Sequence, residues 1–166
     1  QMCIRDMVSG DYVDFYVQNN LLGASSANFK TKDSKIIKCE TITLQDLYEQ
    51  NNLQKVDLLK IDIEGTELEI FNLELIEFLS KNTSQICVEF HDWLDDTKES
   101  TLIVKNIYRL FKKNNFIIFK FSLNNGSVLF INKSKVDIKS ADKINLYINK
   151  YLMGVQRVFK RFFFYK

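Results

Sequence analysis

The stretch that determines the fold is residues 56–65, VDLLKIDIEG. Its aliphatic residues predict a β-strand, and the side chains of a strand point to alternate faces. Lys60, Asp62 and Glu64 therefore share one face near the carboxyl end, where a strand buried on both faces would be apolar. Gly65 then turns the chain, and ligands bind beyond the carboxyl ends of strands in open α/β sheets. This strand end is the first candidate functional site.

A helix and a second strand follow directly. Thr66 and Glu69 have the spacing of a capping box, and apolar residues then recur at helical spacing as far as Leu79. Residues 85–91, QICVEFH, predict another strand, so the order strand, helix, strand indicates two parallel strands joined by a right-handed crossover. If these strands are neighbours, four polar side chains meet at one edge of the sheet: Asp62, Glu64, Glu89 and His91.

The flanking sequence completes one domain. It predicts further strands and helices, namely strands at 11–17 and 36–42, a short helix capped by Thr43 and Asp46, an amphipathic helix at 97–114, and strands at 116–121 and 127–131. Asn125-Gly126 between the last two strands is typical of a β-hairpin, because both turn residues must accept positive φ. The sequence therefore predicts an α/β fold whose sheet ends in an antiparallel hairpin.

Composition sets the class of protein. The 166 residues are 46% hydrophobic and 27% charged, which fits one soluble globular domain with a core. A net charge of +2 gives no reason to expect a nucleic-acid partner. Three cysteines without metal-ligand spacing suit a reducing compartment. No apolar run can span a bilayer and no signal peptide is visible, so we expect a cytoplasmic protein.

Three segments together resemble one enzyme family. Residues 43–47 (TLQDL), 56–67 (VDLLKIDIEGTE) and 87–91 (CVEFH) are similar to the FkbM-type methyltransferases. The resemblance covers residues 7–132 and implies a doubly wound, mostly parallel class I methyltransferase sheet. It also implies the cofactor S-adenosylmethionine and O-methylation of a hydroxyl on a small molecule, a sugar or glycan, or a natural product. Residues 133–166 form a separate C-terminal extension.

The cofactor motif of that family is missing. Its glycine-rich turn lets the backbone approach the cofactor closely, but this sequence contains no Gly-x-Gly. We therefore predict a truncated domain that lacks the first strands, binds the cofactor poorly and is inactive alone, with cofactor-binding residues unknown. The alternative is a non-catalytic binding module that retains the second half of the fold and uses its acidic edge for a partner or an ion.

The resemblance also assigns roles at the strand ends. Methyl transfer to a hydroxyl requires a group that accepts the hydroxyl proton. Asp62, Glu89 and His91 are the candidate catalytic residues, and spacing alone does not decide which is the base. Lys60 and Glu64 are the candidate substrate-binding residues.

Structural roles compete with these assignments. Lys60 and Glu89 could form a buried ion pair, and Glu67 and Glu69 are expected to complement the helix dipole and cap the helix rather than catalyse. A histidine with several carboxylates could hold a divalent cation. Because no metal-ligand spacing is present, we predict no metal site.

The C-terminal segment, residues 141–166, has a different character. It carries six basic residues and one acid, with apolar and aromatic residues at helical spacing. Such a helix can lie in a membrane interface, or it can pack its apolar face on the sheet. We therefore predict a helical extension with a possible weak membrane-surface contact, and both interpretations stay open.

Overall fold

The computed structural model describes seven segments of the chain: residues 2–4, 12–17, 24–25, 35–63, 66–92, 98–121 and 125–164. Contacts divide the chain into two units, Gln1–Lys135 and Val136–Lys166. The first unit contains two sheets and four helices among its described residues, and the second contains one helix. Within these segments, no helix is both long and apolar enough to cross a bilayer.

The first sheet contains four strands in the order β1-β4-β2-β3. These strands are β1 (Met2–Ile4), β2 (Tyr12–Val17), β3 (Ala24–Ser25) and β4 (Lys35–Ile42). β2 runs antiparallel to β4 with Val13 opposite Cys39, so the strands predicted at 11–17 and 36–42 are both present and are neighbours. β1 runs parallel to β4 at its other edge.

The second sheet carries the candidate site. Its strands are β5 (Val56–Ile61), β6 (Thr83–Val88), β7 (Phe116–Lys120) and β8 (Val128–Asn132), in the order β5-β6-β8-β7. β5 and β6 are parallel neighbours with Ile61 opposite Val88, as the strand–helix–strand pattern predicts. β8 runs antiparallel to both β6 and β7, so the predicted terminal hairpin is confirmed.

The α/β class is confirmed, but the described sheets are mixed rather than mostly parallel. Only the pairs β1–β4 and β5–β6 are parallel among the described strands. In the second sheet the physical reason is the hairpin, because β8 returns from β7 and inserts beside β6, which makes both of its pairings antiparallel. In the first sheet β2 runs antiparallel to both β3 and β4. The doubly wound arrangement stays a prediction.

Local side chains determine where the helices begin. The first helix, α1 (Leu44–Gln50), is capped as predicted by Thr43, whose hydroxyl accepts the Asp46 N–H at 3.1 Å. The predicted capping box at Thr66 and Glu69 is wrong. Thr66 already has helical backbone angles, and its hydroxyl donates to the Ile63 carbonyl at 3.0 Å.

The single helix predicted after Gly65 is two helices. They are α2 (Glu67–Ile70) and α3 (Leu73–Asn82). The Asn72 side chain accepts the Leu75 N–H at 2.8 Å and so caps α3, while Phe71 before it leaves the helical region with a ψ of 88°. The predicted amphipathic helix at 97–114 is present as α4 (Lys98–Lys113).

The core lies between the helices and one face of the second sheet. Ile86, Val88 and Phe130 are fully buried there, and the rings of Phe111 and Phe130 stack with centroids 3.9 Å apart. Burying each such side chain contributes roughly 1.5–3 kcal/mol. On the other face of β5, Leu58 is 60% exposed. The alternation of the strand thus places its polar residues away from the core.

The described residues of the second unit form one long helix, α5 (Ser140–Phe164). Asp142 in its first turn accepts the backbone N–H of Lys139 at 2.9 Å. An acidic side chain at this position also complements the helix dipole. The helix predicted for the C-terminal extension is therefore present.

Candidate active site

The carboxyl ends of β5 and β6 form the candidate site. The parallel ladder continues one residue past β6, where the Glu89 N–H donates to the Ile61 carbonyl at 3.0 Å. Beyond this bond the chain continues to Asp62 after β5 and to His91 after β6. The strand register therefore brings together residues that are 29 positions apart in the sequence.

A buried glutamate–histidine pair is the main feature of the site. Glu67 Oε1 lies 2.9 Å from His91 Nδ1, and the two residues are 0% and 8% exposed. The same oxygen accepts the Ile63 N–H at 2.9 Å. Because this oxygen already acts as an acceptor for the Ile63 N–H, we assign it the same role toward the imidazole and place the imidazole proton on Nδ1. In the neutral ring Nε2 is then the basic nitrogen.

Asp62 lies beside this pair. One carboxylate oxygen each of Asp62 and Glu67 and one ring nitrogen of His91 lie within 4.8 Å of one another. The Asp62 carboxylate also accepts a hydrogen bond from Lys60 Nζ at 2.8 Å. The Asp62 hydrogen bond and charge raise the pKa of Lys60, with smaller contributions from Glu89 and Cys87. Lys60 is therefore held as a cation next to the site.

The alternative role for Lys60, a buried ion pair with Glu89, is not what the structure shows. The Lys60 side chain is 63% exposed and is paired with Asp62 instead. The physical reason is that residues two apart on one strand share a face, and this face of β5 is open to solvent. Glu89 is also exposed and acts on Lys60 only through its charge.

The five residues selected from the sequence thus have different positions. Asp62 and His91 come together, and Lys60 joins them through Asp62. Glu89 lies at the adjoining strand end with an exposed side chain. Glu64 lies outside the described residues. The roles of all five stay predictions.

Glu67 is the residue whose partner the sequence analysis missed. It lies in the first turn of α2, where the sequence places it, but it is completely buried. A signal was available, because Glu67 precedes Ile70 and Phe71 by three and four residues, and both are buried. Residues at those intervals share one face of a helix. An acid on the buried face of a helix requires a partner, and His91 provides one.

A hydrogen-bond network holds Asp92, the residue that follows His91. Asp92 is buried and accepts a hydrogen bond from Asn125 Nδ2 at 2.6 Å, while Tyr108 donates to Asn125 Oδ1 at 2.8 Å. The Ser100 hydroxyl donates to the Asp92 carbonyl at 3.1 Å. Burial, and secondarily the charge of Asp92, raises the pKa of Tyr108. These contacts fix the residue next to His91.

The donor set also suits a divalent cation, since it combines two carboxylates with an imidazole. In the observed geometry, however, the Glu67–His91 hydrogen bond and the Lys60–Asp62 ion pair already use these groups. A cation bound by these atoms would have to displace both contacts.

A pocket lies near the opposite, amino ends of β5 and β6. It is lined by side chains that include Tyr48, Leu53, Phe78 and Asn82. The Tyr48 hydroxyl is hydrogen-bonded to Thr83 at 2.9 Å, and burial raises its pKa. Its lining contains no histidine and no pair of carboxylates. These properties favour a structural role.

Comparison with known proteins matches the chain to a protein family. A sequence model described as the methyltransferase FkbM domain matches residues 3–118. No curated protein and no solved structure matches the chain. The matched range includes β5 and β6 and every residue of the Lys60, Asp62, Glu67 and His91 cluster.

Proposed function

Because the match covers most of its length, the chain belongs to the FkbM methyltransferase family, and we propose that its carboxyl-edge site serves methyl transfer from S-adenosylmethionine to a hydroxyl group. The acceptor class we propose is a sugar, a glycan or a hydroxylated natural product. The observation that carries the proposal is the buried Glu67–His91 pair, with Asp62 beside it, at the ends of two parallel strands.

The first task of these residues is to remove the hydroxyl proton. A positioned base contributes typically about 10²–10⁴-fold to such a step. His91 Nε2 accepts the proton, while Glu67 accepts the hydrogen bond from Nδ1 and stabilises the imidazolium that forms. In a serine-protease triad, likewise, a carboxylate orients the histidine while the histidine accepts the proton. Glu67 is therefore a positioning residue and His91 the base.

The second task is to orient the acceptor. The Asp62 carboxylate can accept a hydrogen bond from a second hydroxyl of a sugar-like acceptor, and Lys60 fixes that carboxylate through the 2.8 Å ion pair. Glu89 and Glu64 are proposed to make further polar contacts at the same edge. Holding the acceptor oxygen in one geometry removes entropy from the barrier before the reaction.

We propose that the described residues of this edge serve the acceptor rather than the donor. S-adenosylmethionine supplies a methyl group activated by its sulfonium, and its adenosine requires close approach to the backbone. The sequence has no Gly-x-Gly at which such an approach is free of Cβ atoms. The described edge offers carboxylates, an ammonium and an imidazole instead. These groups suit the acceptor side of the reaction.

The experiment uses the full product of the gene that encodes this chain. Transfer of a labelled methyl group is measured against a panel of sugars and hydroxylated small molecules. Asp62→Asn should lower transfer by roughly 10²-fold, the scale of a general acid–base or orienting group, with folding largely retained.

The matched control is Ile61→Ala, one residue away on the opposite, buried face. It should lower thermal stability by a cavity cost of about 2–5 kcal/mol before it lowers turnover per folded molecule. Near-normal turnover in Asp62→Asn together with lost stability would make Asp62 structural. Transfer to no hydroxyl acceptor would refute the O-methylation proposal.

The second candidate is a non-catalytic binding module. The absence of any Gly-x-Gly favours it. The result that would identify a binding module has two parts. Hydroxyl compounds bind, with an affinity that Asp62→Asn lowers, but no methyl group is transferred to them.

A further inference from the structure

The apolar side of α5 is exposed. Six large side chains of this helix are between 47% and 68% exposed: Ile144, Tyr147, Ile148, Tyr151, Leu152 and Val155. They recur at alternating intervals of three and one residues. This spacing places them on one side of the helix over roughly three turns. A continuous exposed apolar stripe of this length marks an interaction surface.

Reduced exposure marks the other side of the same helix. Lys143, Leu146 and Lys150 are half-buried and follow one another at intervals of three and four residues. The exposed stripe and these residues therefore occupy different sides. Lys150 Nζ lies 5.9 Å from the centre of the Tyr151 ring, so a cation borders the aromatic edge of the stripe.

The charge of α5 indicates what the stripe contacts. The helix has five basic residues, Lys143, Lys150, Arg157, Lys160 and Arg161, and a single acid, Asp142. Its net charge is therefore +4, whereas the whole chain carries only +2. Positive charge is concentrated in the element that exposes apolar surface. Such a combination complements a surface that is both apolar and negatively charged.

We propose that α5 binds in the interface of an anionic lipid bilayer, with its apolar stripe among the acyl chains and its cations at the head groups. An amphipathic helix with aromatic residues on one face and basic residues on the other lies in the plane of the interface. Each basic residue near an anionic surface adds to the binding. A second copy of α5 on the stripe would instead bring like charges together. This proposal is independent of the methyl-transfer reaction.

The test is co-sedimentation of the full chain with phosphatidylcholine vesicles, with and without phosphatidylserine. The chain should bind the vesicles that contain phosphatidylserine and bind the neutral ones much more weakly. The double variant Ile148→Gln, Leu152→Gln should weaken binding by at least about tenfold, because it removes buried apolar surface. The matched control is Asn145→Gln, Asn149→Gln, at exposed polar positions of the same helix.

A second variant separates charge from apolar contact. Lys143→Gln, Lys150→Gln should weaken binding by about fivefold for each lysine removed, and added salt should reduce the difference. Circular dichroism reports whether each variant keeps its helix. If a variant unfolds, the wild-type comparison of the two vesicle types still decides.

Three results would overturn the proposal. They are wild-type protein that stays in solution with phosphatidylserine vesicles, binding that is equal for both vesicle types, and an unchanged affinity in the folded Ile148, Leu152 variant. A concentration-dependent dimer that the same variant dissociates, without vesicle binding by the wild type, would assign the stripe to a second copy of the chain instead.

Discussion

Replacing Glu67 with glutamine tests the buried pair at the centre of the site. The substitution keeps the size of the side chain and removes its charge. A hydrogen bond to a charged group contributes about 1.5–3 kcal/mol, and a neutral one about 1 kcal/mol. The free-energy difference that favours the proton on His91 Nδ1 over Nε2 should therefore fall by roughly 1–2 kcal/mol. Since 1.4 kcal/mol corresponds to a factor of ten, the ratio of the two imidazole tautomers should change by about tenfold.

The assay is straightforward because the chain contains one histidine. Nitrogen-15 correlation spectra of the imidazole, recorded where the ring is neutral, identify which nitrogen carries the proton. Wild-type protein should show the Nδ1–H tautomer, with Nε2 unprotonated. Glu67→Gln should shift the population toward Nε2–H and should lower the free energy of unfolding by about 1–3 kcal/mol.

The control is Glu69→Gln, in the same helix but with an exposed side chain. It should leave the histidine spectrum unchanged. An Nε2–H tautomer in the wild type, or the same spectrum in Glu67→Gln and wild type, would refute the assignment of Glu67 as the residue that positions His91.

Three further predictions concern the alkaline limit, the helix break and the donor. Burial raises the pKa of Tyr108, so the folded chain keeps this phenol neutral at a pH where the unfolded chain, with a pKa near 10, ionises it. The contribution of Tyr108 to the free energy of unfolding is therefore present below about pH 10 and is lost as the pH rises through the folded pKa. In urea unfolding, the free energy of unfolding should fall less steeply above about pH 10 in Tyr108→Phe than in the wild type. The difference in slope should be less than 1.4 kcal/mol per pH unit, because the ring is partly exposed. An equal slope in the two proteins would contradict this prediction. Asn72→Ala removes the cap of α3 and should cost about 1 kcal/mol in thermal denaturation, whereas Thr66→Ala, which has no cap bond, should leave the start of α3 intact in amide-exchange measurements. Calorimetry of this chain alone with S-adenosylmethionine should detect no binding, since no Gly-x-Gly turn is present, and micromolar affinity would show that another segment forms the donor site.

Periodicity in the sequence predicted much of the second sheet. Two-residue alternation around Ile61 and Val88 indicated two strands, and the intervening helical pattern indicated that they are parallel. The hairpin formed by β7 and β8 was also readable, because both strands are apolar and flank Asn125-Gly126. Patterns of this kind are local, because the polarity of each residue indicates whether its own side chain is buried.

The break between α2 and α3 was not readable in the same way. The apolar positions from Leu68 to Leu79 keep a helical spacing across the break, so the stripe looks continuous. Thr66 and Asn72 are both good capping residues by type, so either could begin a helix. The backbone angles at Phe71 and the hydrogen bond from the Leu75 N–H to Asn72 show that a new helix begins after Asn72.

The set of residues that meet at the site was predicted only in part. Asp62 and His91 followed from the strand pattern, but Glu67 did not. An acid in the first turn of a helix has the same local signature whether it complements the dipole or is buried against a partner. That partner, His91, lies 24 residues further along the chain. The ion pair of Lys60 was not predicted for the converse reason, since its partner Asp62 is only two residues away on the same exposed face.

The most direct test of the proposed base is the single-turnover rate of methyl transfer, measured with the full gene product for wild type, His91→Gln and Glu67→Gln. His91→Gln should lower the rate by about 10²–10⁴-fold, and Glu67→Gln by a large part of the same factor, with little change in donor affinity. A rate in His91→Gln within about threefold of the wild type, in protein that is fully folded, would contradict the assignment of this edge as the catalytic centre.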